Sequence, residues 1–125
     1  MSFILLSVEH IIAIHDEVLE PSELQGMAGD KSLEGALSIV DNRLKYGLID
    51  DIYSLAASYA VSISQANCFN DGNKRTAFQV MDLILDLNVI NVIWDVEEVG
   101  QKIVLLSQSK LDETDLAQWL RRVVV

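Results

Sequence analysis

The chain has 125 residues, half of them hydrophobic, with a net charge of −10 and one cysteine. That length fits a single domain over 1–125 with a continuous core. The acidic balance argues against general attraction to nucleic acid, where affinity comes from Lys and Arg on phosphates; no apolar run approaches the roughly 18–20 residues of a membrane span, and one cysteine excludes an internal disulfide and suits a reducing cytoplasm.

The opening MSFILLSVEH has an apolar patch but no basic lead-in, and reads as the start of the fold rather than a signal peptide. Ser7 is placed to cap a helix through about Leu19, with Ile11, Ile14 and Val18 on one face. The lone proline, Pro21, lies in the polar stretch EPSELQGMAGDKS, which reads as a loop between helices. Asp30 or Ser32 starts a second helix, with Leu33, Leu37, Val40 and Leu44 at helical spacing. Asp50 or Asp51 starts a third, whose run SLAASYAVSISQA is rich in small residues that let neighbouring helices approach closely. Asp71-Gly72 breaks the chain before an apolar helix over about Asn73–Leu87. Residues 88–94 (NVINVIW) lack helical periodicity and read as a short extended ribbon. Asp95 and Glu98 have the spacing of a capping box for a helix through about Ser107. Asp112 or Thr114 opens the last helix, striped by Leu116, Trp119, Leu120 and Val123. The expected fold is an all-α bundle of about six helices with at most one small β element near 88–94.

The chemistry concentrates in NCFNDGNKRTAF, residues 67–78. Gly72 permits a tight turn and close backbone approach. The helix from Asn73 then presents unpaired N–H groups and the positive end of its dipole, a natural anion site. Asn73 can donate its side-chain amide to a phosphate, Lys74 adds charge and Arg75 a planar fork. Asp71 would repel bare phosphate but is a hard-oxygen ligand for Mg²⁺ bridging phosphates. Phe69 is expected to point inward and anchor the loop. An equally simple account makes Asp71-Gly72-Asn73 a turn with a capped helix, and Lys74-Arg75 a solvated face. No Walker-type loop or GxGxxG turn is present.

The run Asn67-Cys68-Phe69-Asn70-Asp71-Gly72-Asn73-Lys74-Arg75 resembles the Fic/Doc family signature His-x-Phe-x-[Asp/Glu]-[Gly/Ala]-Asn-[Gly/Lys]-Arg at every fixed position but the first. The stretches IIAIHDEV and GMAGDKSLEGAL, their spacing to the signature and the chain length are similar to the Doc (death-on-curing) branch. Fic AMP-transferases usually carry Gly where this chain has Lys74, and a second arginine where it has Phe78. The resemblance therefore implies a Doc-like toxin of a toxin–antitoxin pair. Such an enzyme moves the γ-phosphate of ATP or another nucleotide to a hydroxyl of a translation elongation factor. It also implies Asp71 on Mg²⁺, Asn73, Lys74 and Arg75 on phosphates, and Gly72 with the backbone at 72–74 as the anion hole. The alternatives are a Fic-type AMP-transferase and a catalytically silent module that binds antitoxin or target. The family's self-inhibitory pattern, [Ser/Thr]-x-x-x-Glu-[Gly/Asn], is missing, because Asp30 stands four positions before Glu34-Gly35. The Doc branch implies restraint by a Phd-like antitoxin instead, and a cytoplasmic enzyme without direct nucleic-acid or membrane binding.

The first signature residue is the family's general base, and here it is Asn67. An amide cannot take a proton near neutral pH. General-base catalysis is worth about 10²–10⁴-fold, so the expected chain binds nucleotide but hardly turns over. The two histidines, His10 and His15, both lie in the first helix, and His15 matches a histidine of Doc-like sequences. Cys68 reads as a small apolar filler, Trp94 and Trp119 as core or interface anchors, Glu97-Glu98 as first-turn charge, and Arg121-Arg122 as cations complementing a helix C-terminus.

Overall fold

The computed structural model describes residues 3–24, 26 and 33–123. Six helices follow one another: α1 (Val8–Val18), α2 (Leu33–Lys45), α3 (Ile52–Ala66), α4 (Asn73–Leu87), α5 (Val96–Ser107) and α6 (Glu113–Val123). The all-α reading holds. The start proposed for α2 at Asp30 or Ser32 lies outside the described residues.

Polar caps set the helix starts. Ser7 Oγ accepts the His10 N–H, and His10 Nδ1 accepts the Ser7 N–H in return, so a histidine fills the role usually taken by Glu or Gln. Asp51 accepts the Ser54 N–H at 2.8 Å, and Asp112 the Asp115 N–H at 2.8 Å. Asp95 accepts the Glu98 N–H at 2.9 Å, but Glu98 does not return the bond; its Oε1 accepts from Trp119 Nε1 at 2.7 Å, tying α5 to α6. Arg121 does more than complement a helix terminus: it forks onto the Asp51 carboxylate at 2.9 and 3.1 Å, joining the end of α6 to the start of α3.

α3 is central and contacts α2, α4, α5 and α6. Its small residues explain this: Ala56, Ala57 and Ala60 are fully buried, so neighbouring backbones approach closely. Around it, Leu33, Leu37 and Val40 of α2, Val80, Met81, Ile84 and Leu85 of α4, and Leu116, Trp119 and Leu120 of α6 form one continuous core.

The ribbon expected at 88–94 does not form. α4 closes on itself instead: the Val89 N–H bonds the Asp86 carbonyl at 3.0 Å, and the Ile90 N–H bonds the Leu85 carbonyl at 2.8 Å. This closure requires a left-handed residue just past the helix, where glycine is the norm. α2 supplies Gly47 there at φ 70°, but α4 uses Val89 at φ 68° and α5 uses Ser109 at φ 58°. The Asn88 side chain then bonds both the N–H and the carbonyl of Ile4, taking up backbone groups that a strand would have paired. The remaining residues run extended to Trp94, which bonds Asp82 at 2.9 Å. A left-handed β-branched residue costs roughly 1–2 kcal/mol, and Val89 is exposed with no packing to lose. Val89→Gly is therefore expected to stabilise the fold by about 0.5–1 kcal/mol after the entropy cost of glycine, read as a higher urea midpoint at unchanged slope.

Candidate active site

The signature loop joins the two helices that run side by side at the centre of the bundle. Asn67 ends α3 in the left-handed region, at φ 50° and ψ 46°, a conformation that Asn, Asp and His tolerate better than other non-glycine residues. Cys68 and Phe69 then turn into the core; Cys68 is fully buried, a filler as expected. Gly72 takes φ 81° and starts α4 without a side-chain cap. Thr76 is the first residue of α4 to bond back, its N–H and hydroxyl both reaching the Gly72 carbonyl at 2.9 and 2.8 Å. The N–H groups of the first turn thus have no acceptor within the helix.

A cleft of about 340 Å³ opens over this turn, lined by Asn67, Asp71, Gly72, Asn73, Lys74 and Arg75 together with Glu23, Asn70 and Ser107. All six sequence-predicted residues thus meet at one cleft. The Asn73 side chain differs from expectation. Its Nδ2 donates to the Phe69 carbonyl at 2.9 Å and its Oδ1 accepts the Phe69 N–H at 3.1 Å. The amide that sequence assigned to a ligand staples the loop instead, and Asn73 faces the cleft as backbone.

Three residues outside the signature also bear on the site. Glu23, on the turn after α1, bonds Arg75 and also accepts the Glu20 N–H at 2.9 Å. The bond from Arg75, then the one from Glu20, hold the Glu23 carboxyl below the usual carboxylate range, and the same pairing raises Arg75. The neighbouring Leu24 N–H donates to Asp71 Oδ2 at 2.9 Å. His15 is buried beneath the loop: its ring stacks on Phe69 at 3.7 Å, and its Nε2 lies 2.7 Å from the Asp71 carbonyl oxygen. A sequence signal for His15 existed, since it sits four positions after the buried Ile11 and so shares its face. Nothing local marked Glu23, which meets Arg75 across 52 positions of sequence.

Neither histidine lines the cleft, since His10 caps α1 and His15 lies below the turn. Among the described residues no group of three or more His, Cys, Asp or Glu could hold a metal. A lone carboxylate beside an anion site suits Mg²⁺, which takes one or two protein carboxylates and fills its remaining positions with water and ligand phosphates. Asp71 keeps one carboxylate oxygen beyond the one bonded to Leu24.

Beside the cleft, a second hollow of about 420 Å³ runs between α4 and α5. Phe78, Trp94, Val99 and Ile103 line it, with Lys74 and Arg75 at one end. Phe78 meets Trp94 edge-on at 5.5 Å, and Trp94 stacks on Trp119 at 6.1 Å, so the tryptophans anchor the core and this wall. No helix among the described residues is long and apolar enough to cross a membrane.

Comparison with known proteins agrees with the local geometry. Residues 5–85 match the Fic/DOC family, a span that contains α1 and the whole signature loop. The chain is also similar to the protein named "Protein kinase doc" of Escherichia phage P1, 31% identical over 119 residues that cover 94% of each chain. A match over most of the chain, one that includes the loop that forms the cleft, settles the kinship: this chain belongs to the Fic/DOC family.

Proposed function

We propose that the chain is a Doc-type toxin built to transfer the γ-phosphate of ATP or another nucleotide to a hydroxyl of a translation elongation factor, and that Asn67 leaves it able to bind nucleotide with little turnover. The observation that carries this reading is the uncapped start of α4, where Gly72, Lys74, Arg75 and Asp71 share one cleft. The first-turn amides, Gly72 included, hold phosphate oxygens. Lys74 and Arg75 offset their charge, and Asp71 would hold Mg²⁺, which would supply further positive charge against the phosphates. The target hydroxyl enters beside Asn67, which can orient it by a hydrogen bond but cannot take its proton.

Phosphoryl rather than AMP transfer is supported at position 78. An AMP-transferase of this family would place an arginine there, whereas Phe78 packs against Trp94 in the apolar wall. The apolar hollow between α4 and α5 supports a Phd-like antitoxin as partner. Val96 and Val104 at its lining are exposed, and Lys74 and Arg75 at its end would meet an acidic group on the bound segment. The cytoplasm is the compartment that holds both target and nucleotide. Mass spectrometry of the target after incubation with the Asn67→His chain tests the reading: addition of one phosphate is expected, and addition of AMP overturns it. Asn67 itself favours a second reading, a silent module that engages antitoxin or target without turnover. That reading stands if Asn67→His restores no transfer.

Glu23 occupies Arg75, which a phosphate would need. Glu23→Gln keeps the shape and removes the charge, and is expected to tighten Mg²⁺–ATP binding about two- to fivefold, the scale of an exposed ion pair, more at low salt. Calorimetric titration of both proteins measures it; equal affinities would mean that Glu23 does not compete with the ligand.

A further inference from the structure

We propose that His15 is a positioning residue of this site, fixing the Asp71–Gly72 peptide so that the Gly72 N–H and the Asp71 carboxylate serve one ligand. The inference rests on the nucleotide reading above. The ring is 1% exposed and touches three consecutive features of the loop. Its face lies nearly parallel to Phe69, at 3.7 Å and 7°. Its Nε2 is 2.7 Å from the Asp71 carbonyl oxygen; a carbonyl only accepts, so Nε2 carries the proton and donates. Gly72 lies directly on the ring, where an added Cβ would come within 3.5 Å of Cδ2 and Nε2 and 3.2 Å of Leu19. At the ring's other edge Nδ1 is 3.3 Å from Asp16.

The bonded carbonyl matters because it is half of a rigid unit. A trans peptide is planar, with its carbonyl and its N–H pointing to opposite sides. Holding the Asp71 oxygen against buried His15 therefore turns the Gly72 N–H away from the core, toward the cleft that Gly72 lines. Without the donor, rotation of this one peptide would withdraw the Gly72 amide from beside the Asp71 carboxylate, while the helices stayed in place. The left-handed φ of Gly72 makes such rotation cheap, since glycine resists it least. His15 acts on the site from beneath, through the backbone of Asp71 and Gly72, and is not a catalytic residue.

Two nearly isosteric substitutions separate positioning from packing. His15→Gln and His15→Met both remove the ring, but only Gln keeps an N–H at the reach of Nε2. Calorimetric titration of each full chain with Mg²⁺–ATP, with melting followed in parallel, gives the answer. We expect His15→Met to bind about tenfold more weakly than the parent, the scale of losing a group that orients a metal ligand. His15→Gln should recover most of that affinity although both variants melt lower. If Gln and Met bind alike, His15 is packing alone and the inference is overturned. Should His15→Met not fold, His15→Phe, which keeps the stacked ring without a donor, takes its place with the same expectation. A parent chain that does not bind Mg²⁺–ATP overturns the nucleotide reading itself, and this inference with it.

Discussion

Asn67→His is expected to raise phosphoryl transfer by about 10²–10⁴-fold, the range of general-base catalysis. The structure gives three reasons why one substitution should suffice. First, Asn67 already lines the cleft beside Asp71, Lys74 and Arg75, so an imidazole there stands where the target hydroxyl would arrive. Second, the backbone asks little of the new residue. The left-handed conformation at φ 50° admits His as it admits Asn, and the exposed side chain disturbs no core, so stability should change by less than about 0.5 kcal/mol. Third, among the described residues of the cleft no other group is placed for the role: both histidines are engaged elsewhere, Glu23 is paired with Arg75, and Asp71 is assigned to Mg²⁺. Imidazole titrates near neutrality and fits the task. Radiolabelled phosphate transfer to elongation factor, with growth arrest on expression, checks the result. A folded, nucleotide-binding Asn67→His chain that does neither would sink the toxin reading.

Leu85→Ala should have the largest effect on stability, a loss of about 2–5 kcal/mol from removed apolar burial and the cavity left behind. Leu85 is fully buried in the core, near the C-terminal end of α4. For a domain of this size the melting temperature should fall by roughly 10 °C or more. Binding should not follow. Leu85 lies 13 positions along α4 from Gly72, about 20 Å at the helical rise, so the folded fraction of Leu85→Ala should bind Mg²⁺–ATP as the parent does. Thermal denaturation with and without ligand separates the two effects. A weakened affinity would mean that the site depends on packing at the far end of the helix.

Much of the fold was legible because its signals are local. Caps at Ser7, Asp51, Asp95 and Asp112, and apolar residues at helical spacing, marked the helices. The error at 88–94 has a local cause as well. Val89 and Ile90 are strand-forming residues, and Val89 stands where glycine would have announced a helix closure. The long-range bonds from Asn88 to Ile4 that complete this corner cross 84 positions and leave no trace in either segment.

The sequence by itself determined the family, the six-helix plan and the signature residues that share one cleft. Nine contiguous residues carry the signature, and a glycine before a helix start permits close backbone approach there. What only the tertiary structure decided is how those residues are occupied. Asn73 turns its amide back on Phe69, Glu23 covers Arg75, the Leu24 N–H takes one oxygen of Asp71, and His15 holds the Asp71 carbonyl from below. Glu23, Leu24 and His15 reach the loop from elements about 50 positions away in sequence. Such contacts depend on where α1 and its following turn pack against α4, and that packing is set by the shared core, to which the loop contributes Cys68 and Phe69.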